Sequence, residues 1–105
     1  MTEEKITHAE LKELLYYDEF TGMFTWLKTN SNRRKAGARA GSVESKNWGQ
    51  AYVFIRLNKR VYRAHTLAHF YMTGEWPPMG IKSPHANGDG TDNRWINLCE
   101  AYGYD

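Results

Sequence analysis

Residues 81–98 read IKSPHANGDGTDNRWINL, and the predicted fold depends on this stretch. It places a histidine, His85, ahead of a segment rich in Asn, Gly and Asp. An Asn-Leu pair, Asn97 and Leu98, follows 12 and 13 residues after that histidine. Asn-Gly and Asp-Asn dipeptides favour turns, so residues 86–94 are predicted to form a loop.

The composition is that of one small globular domain. The chain has 105 residues, of which 41% are hydrophobic and 25% charged. No apolar run approaches the roughly 20 residues of a membrane span, and the acidic, polar N-terminus does not resemble a signal peptide. The single cysteine, Cys99, excludes an intramolecular disulfide framework and a CxxC zinc pair. We therefore expect a cytoplasmic protein that does not bind membranes.

Positive charge is concentrated in the middle of the chain. The net charge is only +2, but the first twenty residues lean acidic and Glu44 is the only acid between residues 28 and 63. Such clustering is typical of a nucleic-acid partner, and a solvated basic surface is the open alternative. The basic residues of this region are Lys28, Arg33, Arg34, Lys35, Arg39, Lys46, Arg56, Lys59, Arg60 and Arg63.

The first amphipathic segment, residues 6–17, carries the signals of a helix N-terminus. Thr7 and Glu10 have the spacing of a capping box, and Ile6 and Leu11 that of a hydrophobic staple. Apolar residues then recur at helical spacing, which predicts a helix that packs against the core and ends near residue 17.

A turn, a short strand and a long polar connection follow. Residues 18–22 (DEFTG) are typical of a turn, and residues 23–26 (MFTW) favour a strand. Residues 28–45 show no periodicity, so we expect a loop there. Its cluster of Arg33, Arg34 and Lys35 suits phosphate contacts, which give affinity and salt dependence but little sequence preference.

Residues 50–64 predict a β-hairpin with a two-residue turn at Asn58-Lys59. Aliphatic residues alternate with aromatic and basic ones, so one face can pack while the other carries rings and charges. Basic residues interleaved with Tyr52, Phe54 and Tyr62 could contact a nucleic-acid groove or stack on bases. A half-exposed sheet whose basic edge discourages aggregation is the alternative.

A second helix is predicted over residues 65–73, with Gly74 as the C′ residue that follows its last turn. His65 and His69 are four residues apart on this helix, a spacing that can bind zinc. No further ligand follows at a motif distance, so packing or hydrogen bonding is the preferred interpretation of the pair.

Four tryptophans allow a further interpretation, a surface that binds another protein or a second copy of the chain. Tryptophans in so small a chain are more often part of the core. They are Trp26, Trp48, Trp76 and Trp95.

Several segments, taken with residues 81–98, resemble the HNH (His-Me finger) nucleases, in the version common among small phage-encoded homing-type endonucleases. The resemblance follows the family's order and spacing along nearly the whole chain. The similar segments are residues 11–17, 22–26 (GMFTW), 40–42 (AGS), 62–65 (YRAH), 67–68 (LA) and 73–77 (TGEWP). The resemblance implies a single domain with a DNA-contacting α/β region over residues 1–78 and a ββα-metal core over residues 79–105.

The resemblance also implies the layout of this core. Residues 81–85 would form its first strand, residues 86–94 the loop, and residues 95–98 the second strand, with a truncated helix from Cys99 onward. The expected class is therefore α+β: a helix, a small antiparallel sheet, a second helix, and a truncated ββα unit.

The resemblance assigns roles to four residues of the core. His85 matches the general base that activates water for phosphodiester cleavage, a task suited to an imidazole with an ordinary pKa near 6.5. Asn97 matches the asparagine that orients this histidine. Asn93 and Arg94 match the loop pair, and Arg94 could contact a phosphate.

The metal site departs from the family pattern. The position before the histidine usually holds an Asp ligand, and here it is Pro84. In the family the second ligand usually lies about nine residues after the asparagine that matches Asn97, and this position falls beyond Asp105. Asp89 and Asp105 are the candidate replacement ligands for Mg²⁺ or Mn²⁺, which prefer oxygen donors.

Two hypotheses follow for the function. The first is an HNH-type DNA-binding protein that uses a divalent metal to nick or cleave double-stranded DNA. The alternative is a catalytically inactive HNH-derived module that binds DNA or protein without a metal, as a phage regulator or as an inhibitor of a host or rival factor.

Overall fold

The computed structural model describes residues 5–29, 35–45, 50–78, 80, 81 and 83–104. These residues form three helices and two antiparallel sheets of three strands each, which confirms the predicted α+β class. The helices are α1 (His8–Leu14), α2 (Ala64–Thr73) and α3 (Trp95–Tyr102). The first sheet has the order β1 (Leu15–Tyr17), β2 (Phe24–Trp26), β3 (Arg39–Ala40), and the second the order β4 (Ser42–Ser45), β5 (Ala51–Leu57), β6 (Arg60–Arg63).

Helix α1 begins as predicted and ends earlier. The side chain of Thr7 accepts a hydrogen bond from the Glu10 backbone, and the Glu10 carboxylate accepts one from the Thr7 backbone, so the capping box is confirmed. The predicted extension to residue 17 is wrong. Leu15 and Tyr17 are buried while the residue between them is exposed, and this period of two places them in β1, paired with β2.

The connection after β2 is partly ordered, which corrects the loop predicted over residues 28–45. Strand β3 pairs with β2, and one residue later β4 pairs with β5, so the chain passes directly from the first sheet to the second at Gly41. The described part of this segment therefore contains two strands. Arg33 and Arg34 lie outside the described residues.

The predicted hairpin is confirmed as β5 and β6. Val53, Ile55 and Leu57 are buried, while Arg56 is exposed, so one face of β5 packs inward. The turn residues Asn58 and Lys59 have φ angles of 48° and 65°, the left-handed conformation that a type I′ turn requires.

Helix α2 lies at the centre of the packing. It contacts α1, β5, β6 and α3, and it ends at Gly74, whose φ of 79° is the expected left-handed C-cap. Six of its ten residues are buried: Ala64, His65, Leu67, Ala68, His69 and Phe70.

The two strands predicted for the ββα unit are not formed, and this is the main correction to the fold. None of the described residues from 81 to 85 lies in a strand: residues 84 and 85 form a bend, and Pro84 has no backbone N–H for a strand ladder. Residues 95–98 are the first half of α3, because Asn97 and Leu98 are buried while Ile96 is exposed on the opposite side of a helix. Gly103 ends α3 with a φ of 81°.

Aromatic residues supply much of the core. Trp26 is buried, and Trp76 and Trp95 pack against the core, which favours the core interpretation for these three; Trp48 lies outside the described residues. Tyr62, one of the three rings considered for base stacking, is buried. Its hydroxyl accepts a hydrogen bond from the backbone of Ile6, and its ring stacks on Trp76.

The regions on either side of residue 79 share one core. Leu98 belongs to the same buried cluster as Leu11 and Leu67, so the two regions pack as one unit over the described residues. Across those residues, no helix has the length and apolar character needed to cross a membrane.

Candidate nucleic-acid interface and histidine pair

His85 is held by Asn93 in the interior of the protein. Each is only 2% exposed, and His85 Nε2 lies 2.8 Å from Asn93 Oδ1. Because an amide oxygen can only accept, Nε2 carries the hydrogen and donates it. In the neutral ring the basic lone pair is therefore on Nδ1.

The backbone of Asn93 is fixed by the N-terminal part of the chain. The Tyr17 hydroxyl donates a hydrogen bond to the carbonyl oxygen of Asn93. Gly22, with a φ of 77°, comes so close that a Cβ atom there would lie 2.3 Å from the carbonyl carbon of Asn93. The backbone of Trp95 donates to the carbonyl oxygen of Glu19. The turn over residues 18–22 thus positions the residue that holds His85.

Asn97, the predicted orienting residue, acts on the loop. Within the described part of the chain, no hydrogen bond joins its side chain to the His85 ring. Its amide exchanges two hydrogen bonds with Asn87, of 3.0 and 3.1 Å, and donates a third to the carbonyl oxygen of Asp92. Asn97 therefore closes the loop that follows His85, and Asn93 makes the direct contact.

His65 packs against His85. The two rings meet edge to face with their centroids 4.9 Å apart, and Tyr52 lies beside both. Burial lowers the pKa of His65 to about 3, helped by the neighbouring His85 and Arg63. Burial also lowers the pKa of His85, and the hydrogen bond to Asn93 opposes this. Both imidazoles are therefore neutral at pH 7.

The predicted metal ligands do not assemble into a site within the described residues. Asp89 Oδ1 accepts hydrogen bonds from the backbone and the hydroxyl of Thr91, which accounts for its place in the loop. Asp105 lies outside the described residues. Among the residues that are described, His, Cys, Asp and Glu form no group of three that could hold a metal ion. These residues do not fit the site that the resemblance implies, and Mg²⁺ or Mn²⁺ stays a prediction.

Two of the predicted phosphate-binding arginines share the outer face of the second sheet. Phe54 lies opposite Arg63, and Arg56 lies opposite Val61, so these residues point to the side away from the core. Tyr52 lies on the same face, with Glu44 opposite it on β4. Hereafter the basic face means Arg56, Arg63 and the exposed turn residue Lys59. None of these three makes an ion pair with another described residue.

The remaining predicted cations are more dispersed. Arg94 uses two guanidinium nitrogens to donate to Asp92, at 2.7 and 2.8 Å, and this contact lowers the pKa of Asp92 to about 2. A phosphate would have to compete with that carboxylate. Arg39 is exposed on β3 and lines a small cavity with Asn93. Lys35 is exposed. Arg60 directly follows the turn of the hairpin and pairs with Leu57, on the face that packs inward.

A cleft of about 340 Å³ opens beside the basic face. Tyr52, Phe54 and Arg63 of the hairpin form one wall. The other wall is formed by Pro77, Pro78, Ile81 and Pro84, with His65 and Tyr102 completing the lining. Sequence reasoning found the first wall from the alternation in β5. It missed Tyr102, because the helix predicted from Cys99 onward includes this position but the sequence does not show which surface that helix packs against.

His69 is engaged in hydrogen bonds at both ring nitrogens. Nδ1 donates to the carbonyl oxygen of Glu75 at 2.8 Å, so Nε2 accepts from the Tyr104 hydroxyl at 2.7 Å. With His65 packed on His85, these contacts support the packing and hydrogen-bonding interpretation of the pair over zinc ligation.

An apolar depression of about 690 Å³ lies on α3 and the turn before β2. Phe20 and Ile96, two of its lining residues, are 81% and 71% exposed. Exposed apolar surface of this kind suits the predicted protein partner, and of the three described tryptophans only Trp95 lines it.

Comparison with known proteins finds no matching family model, curated protein or solved structure.

Proposed function

We propose that this protein is an HNH-type DNA-binding protein that contacts duplex DNA through its basic face. The observation that supports this most directly is the pairing register of β5 and β6. It places Arg56 and Arg63 on one outward face, away from the core, with Lys59 at the tip of the hairpin.

The charges of this face suit a phosphate backbone. Arginine donates to phosphate oxygens through a planar, bidentate fork and stays protonated at every physiological pH. Arg56, Lys59 and Arg63 have no carboxylate partner among the described residues. Their binding to phosphate therefore does not require breaking an ion pair with those residues. Contacts of this kind give affinity with little sequence preference.

The HNH assignment is supported by the resemblance and by the neighbourhood of His85. The histidine, the loop asparagine Asn93 and the Asn-Leu asparagine Asn97 lie together around one loop, joined by hydrogen bonds. His85, Asn93 and Asn97 are all buried within thirteen residues, and buried polar side chains that are joined by hydrogen bonds are typical of a functional site.

Binding is tested with a fluorescein-labelled duplex of 20 base pairs, titrated with protein in EDTA and followed by anisotropy. We expect R56Q/R63Q to bind at least tenfold more weakly than the unchanged protein, since each lost charge-assisted contact costs about 1.5–3 kcal/mol and a tenfold change corresponds to about 1.4 kcal/mol. The matched control is K12Q/K28Q, which removes the same charge from exposed lysines elsewhere. Equal weakening in both variants would contradict an interface at the basic face.

Phosphodiester cleavage is a second candidate, favoured by the state of His85. Its ring is neutral, its tautomer is set by Asn93, and Nδ1 is left as the basic nitrogen. A general base needs this protonation state. Against it stands the burial of the ring, which is 2% exposed, so a phosphate could reach Nδ1 only after local rearrangement.

Cleavage is tested on supercoiled plasmid with Mg²⁺ or Mn²⁺, and with EDTA as the control. A nuclease predicts nicking that depends on the metal and is lost in His85→Ala, provided that circular dichroism shows the variant to be folded. Nicking at the same rate in both proteins would reject this candidate, whereas DNA binding that is indifferent to EDTA is expected in either case.

A further inference from the structure

The cleft beside the basic face has two walls of different chemistry. Tyr52 and Phe54 lie two residues apart on β5, so their rings stand roughly 7 Å apart along the strand. The opposing wall contains Pro77, Pro78 and Pro84. The volume of the cleft, about 340 Å³, falls at the lower end of the range for small-molecule sites. A cleft lined by aromatic and proline rings suits a planar group.

The polar groups of the cleft favour an anion attached to that planar group. Among the described residues of its lining, Arg63 carries the only charge. His65 lines the cleft and offers a neutral imidazole, because burial holds its pKa far below 7. Burial raises the pKa of Tyr102 to about 12, so its hydroxyl stays protonated and can donate a hydrogen bond. One cation, two neutral hydrogen-bonding groups and aromatic rings are the features expected of a nucleotide site.

A base within a duplex cannot use this slot. Stacked bases are about 3.4 Å apart along each strand and cover one another's faces. Contact with the rings that line the cleft requires a base that has left the stack, as in a single strand, a bulge or a flipped-out nucleotide.

We infer that the cleft binds one unpaired nucleotide of a DNA strand, with its base beside Tyr52 and its phosphate at Arg63. This inference rests on the proposed DNA-binding function and adds a preference for DNA that carries an unpaired base. The basic face would hold the flanking backbone, which places the unpaired nucleotide next to the buried histidine pair.

The experiment compares two labelled duplexes of the same sequence, one fully paired and one with a single central bulged thymidine. Anisotropy titrations of the full chain should give about tenfold tighter binding to the bulged duplex, the typical gain from stacking one base. Free thymidine monophosphate serves as a competitor, to separate a nucleotide within a strand from a free one.

Two variants from different elements test the cleft itself. Tyr52→Leu and Tyr102→Leu should each abolish the preference for the bulge while leaving affinity for the paired duplex unchanged. Tyr52→Phe is the matched control. It keeps the ring and loses only the hydroxyl, which donates to Gln50, so it should keep the preference.

The possible outcomes separate the inference from the function on which it rests. Equal affinity for both duplexes overturns the inference and leaves DNA binding intact. A preference that survives both leucine variants overturns the cleft as its source. Displacement of the bulged duplex by micromolar thymidine monophosphate identifies a free nucleotide as the ligand and overturns the strand assignment. Absence of binding to any DNA rejects the proposed function itself.

Discussion

At the scale of single residues, the buried histidine pair is the feature with the clearest energetic consequence. His65 and His85 are 7% and 2% exposed, and their rings are in contact. Protonating either ring would place a charge in the interior, beside a second imidazole and, for His65, near Arg63. Folding is therefore coupled to the loss of a proton from each of these two rings.

This coupling predicts that the protein loses stability in mild acid. Both folded-state pKa values are lowered, that of His65 to about 3, whereas an unfolded histidine titrates near 6.5. Below pH 6.5 the unfolded chain binds protons at these histidines that the folded chain does not bind. The free energy of unfolding should thus be highest above pH 6.5 and fall by up to about 1.4 kcal/mol per pH unit for each histidine as the pH drops toward 5.

Urea unfolding between pH 5 and 7.5 measures this slope. His65→Gln should give a shallower dependence, because one of the two titrating groups is gone. Three carboxylates, Glu10, Asp89 and Asp92, have pKa values lowered from ordinary values of 4.5, 3.8 and 3.8, so they titrate mainly below this pH window. An identical slope in His65→Gln would show that this ring does not titrate on unfolding.

The sequence singled out His85 and Asn97 as candidate site residues, but it did not show which residues they contact. His85 and Asn97 stand out by type and spacing, and both are buried. That Asn93 holds the ring could not be inferred from the residues alone, because it depends on where α3 begins. A helix that starts at residue 95 turns the Asn97 side chain back onto residues 87 and 92, while Asn93 remains free to meet His85.

At the scale of elements, the loop over residues 86–94 is held by close backbone approaches at glycines. Gly90 lies against β5, where a Cβ atom would be 2.1 Å from the Ala51 carbonyl oxygen. Gly22 lies against the backbone of Asn93 at a similarly short distance. A side chain at either position would push the loop away from the scaffold that orients His85.

Gly22→Ala should therefore destabilise the protein more than another glycine substitution with the same backbone strain. Gly37 has a φ of 87° and nothing within 4 Å of its Cβ position, so Gly37→Ala reports the left-handed strain alone, about 1–2 kcal/mol. Gly22→Ala adds the clash with Asn93, roughly 1–3 kcal/mol more. Urea unfolding of both variants gives the difference. Equal losses would mean that the turn over residues 18–22 does not press on the loop.

Elements with strong local sequence signals were predicted correctly. The secondary structure of two short apolar segments was not. The capping box of α1, the turn of the β5–β6 hairpin and the glycine end of α2 are each set by neighbouring residues. Residues 15–17 and 95–98 are short segments that fit either a helix or a strand. Tertiary packing decides between them: pairing with β2 makes the first a strand, and burial of Leu98 makes the second a helix.

At the scale of the whole molecule, charge and apolar surface are on different elements. The basic face belongs to the β5–β6 hairpin, whereas the exposed apolar depression belongs to α3 and the turn at residues 18–22. The sequence predicted the basic hairpin from its alternation. The apolar depression arises from distant segments, Phe20 and Ile96, and only the folded chain brings them together.

The salt dependence of duplex binding tests the central proposal most directly. The logarithm of the binding constant is measured against the logarithm of KCl concentration, in EDTA, for the unchanged protein, R56Q/R63Q and K12Q/K28Q. Each phosphate contact contributes about −0.9 to the slope, so the arginine variant should lose roughly 1.8 of it while the lysine variant keeps the original slope. Three equal slopes, or no binding by the unchanged protein at low salt, would contradict a DNA interface at the basic face.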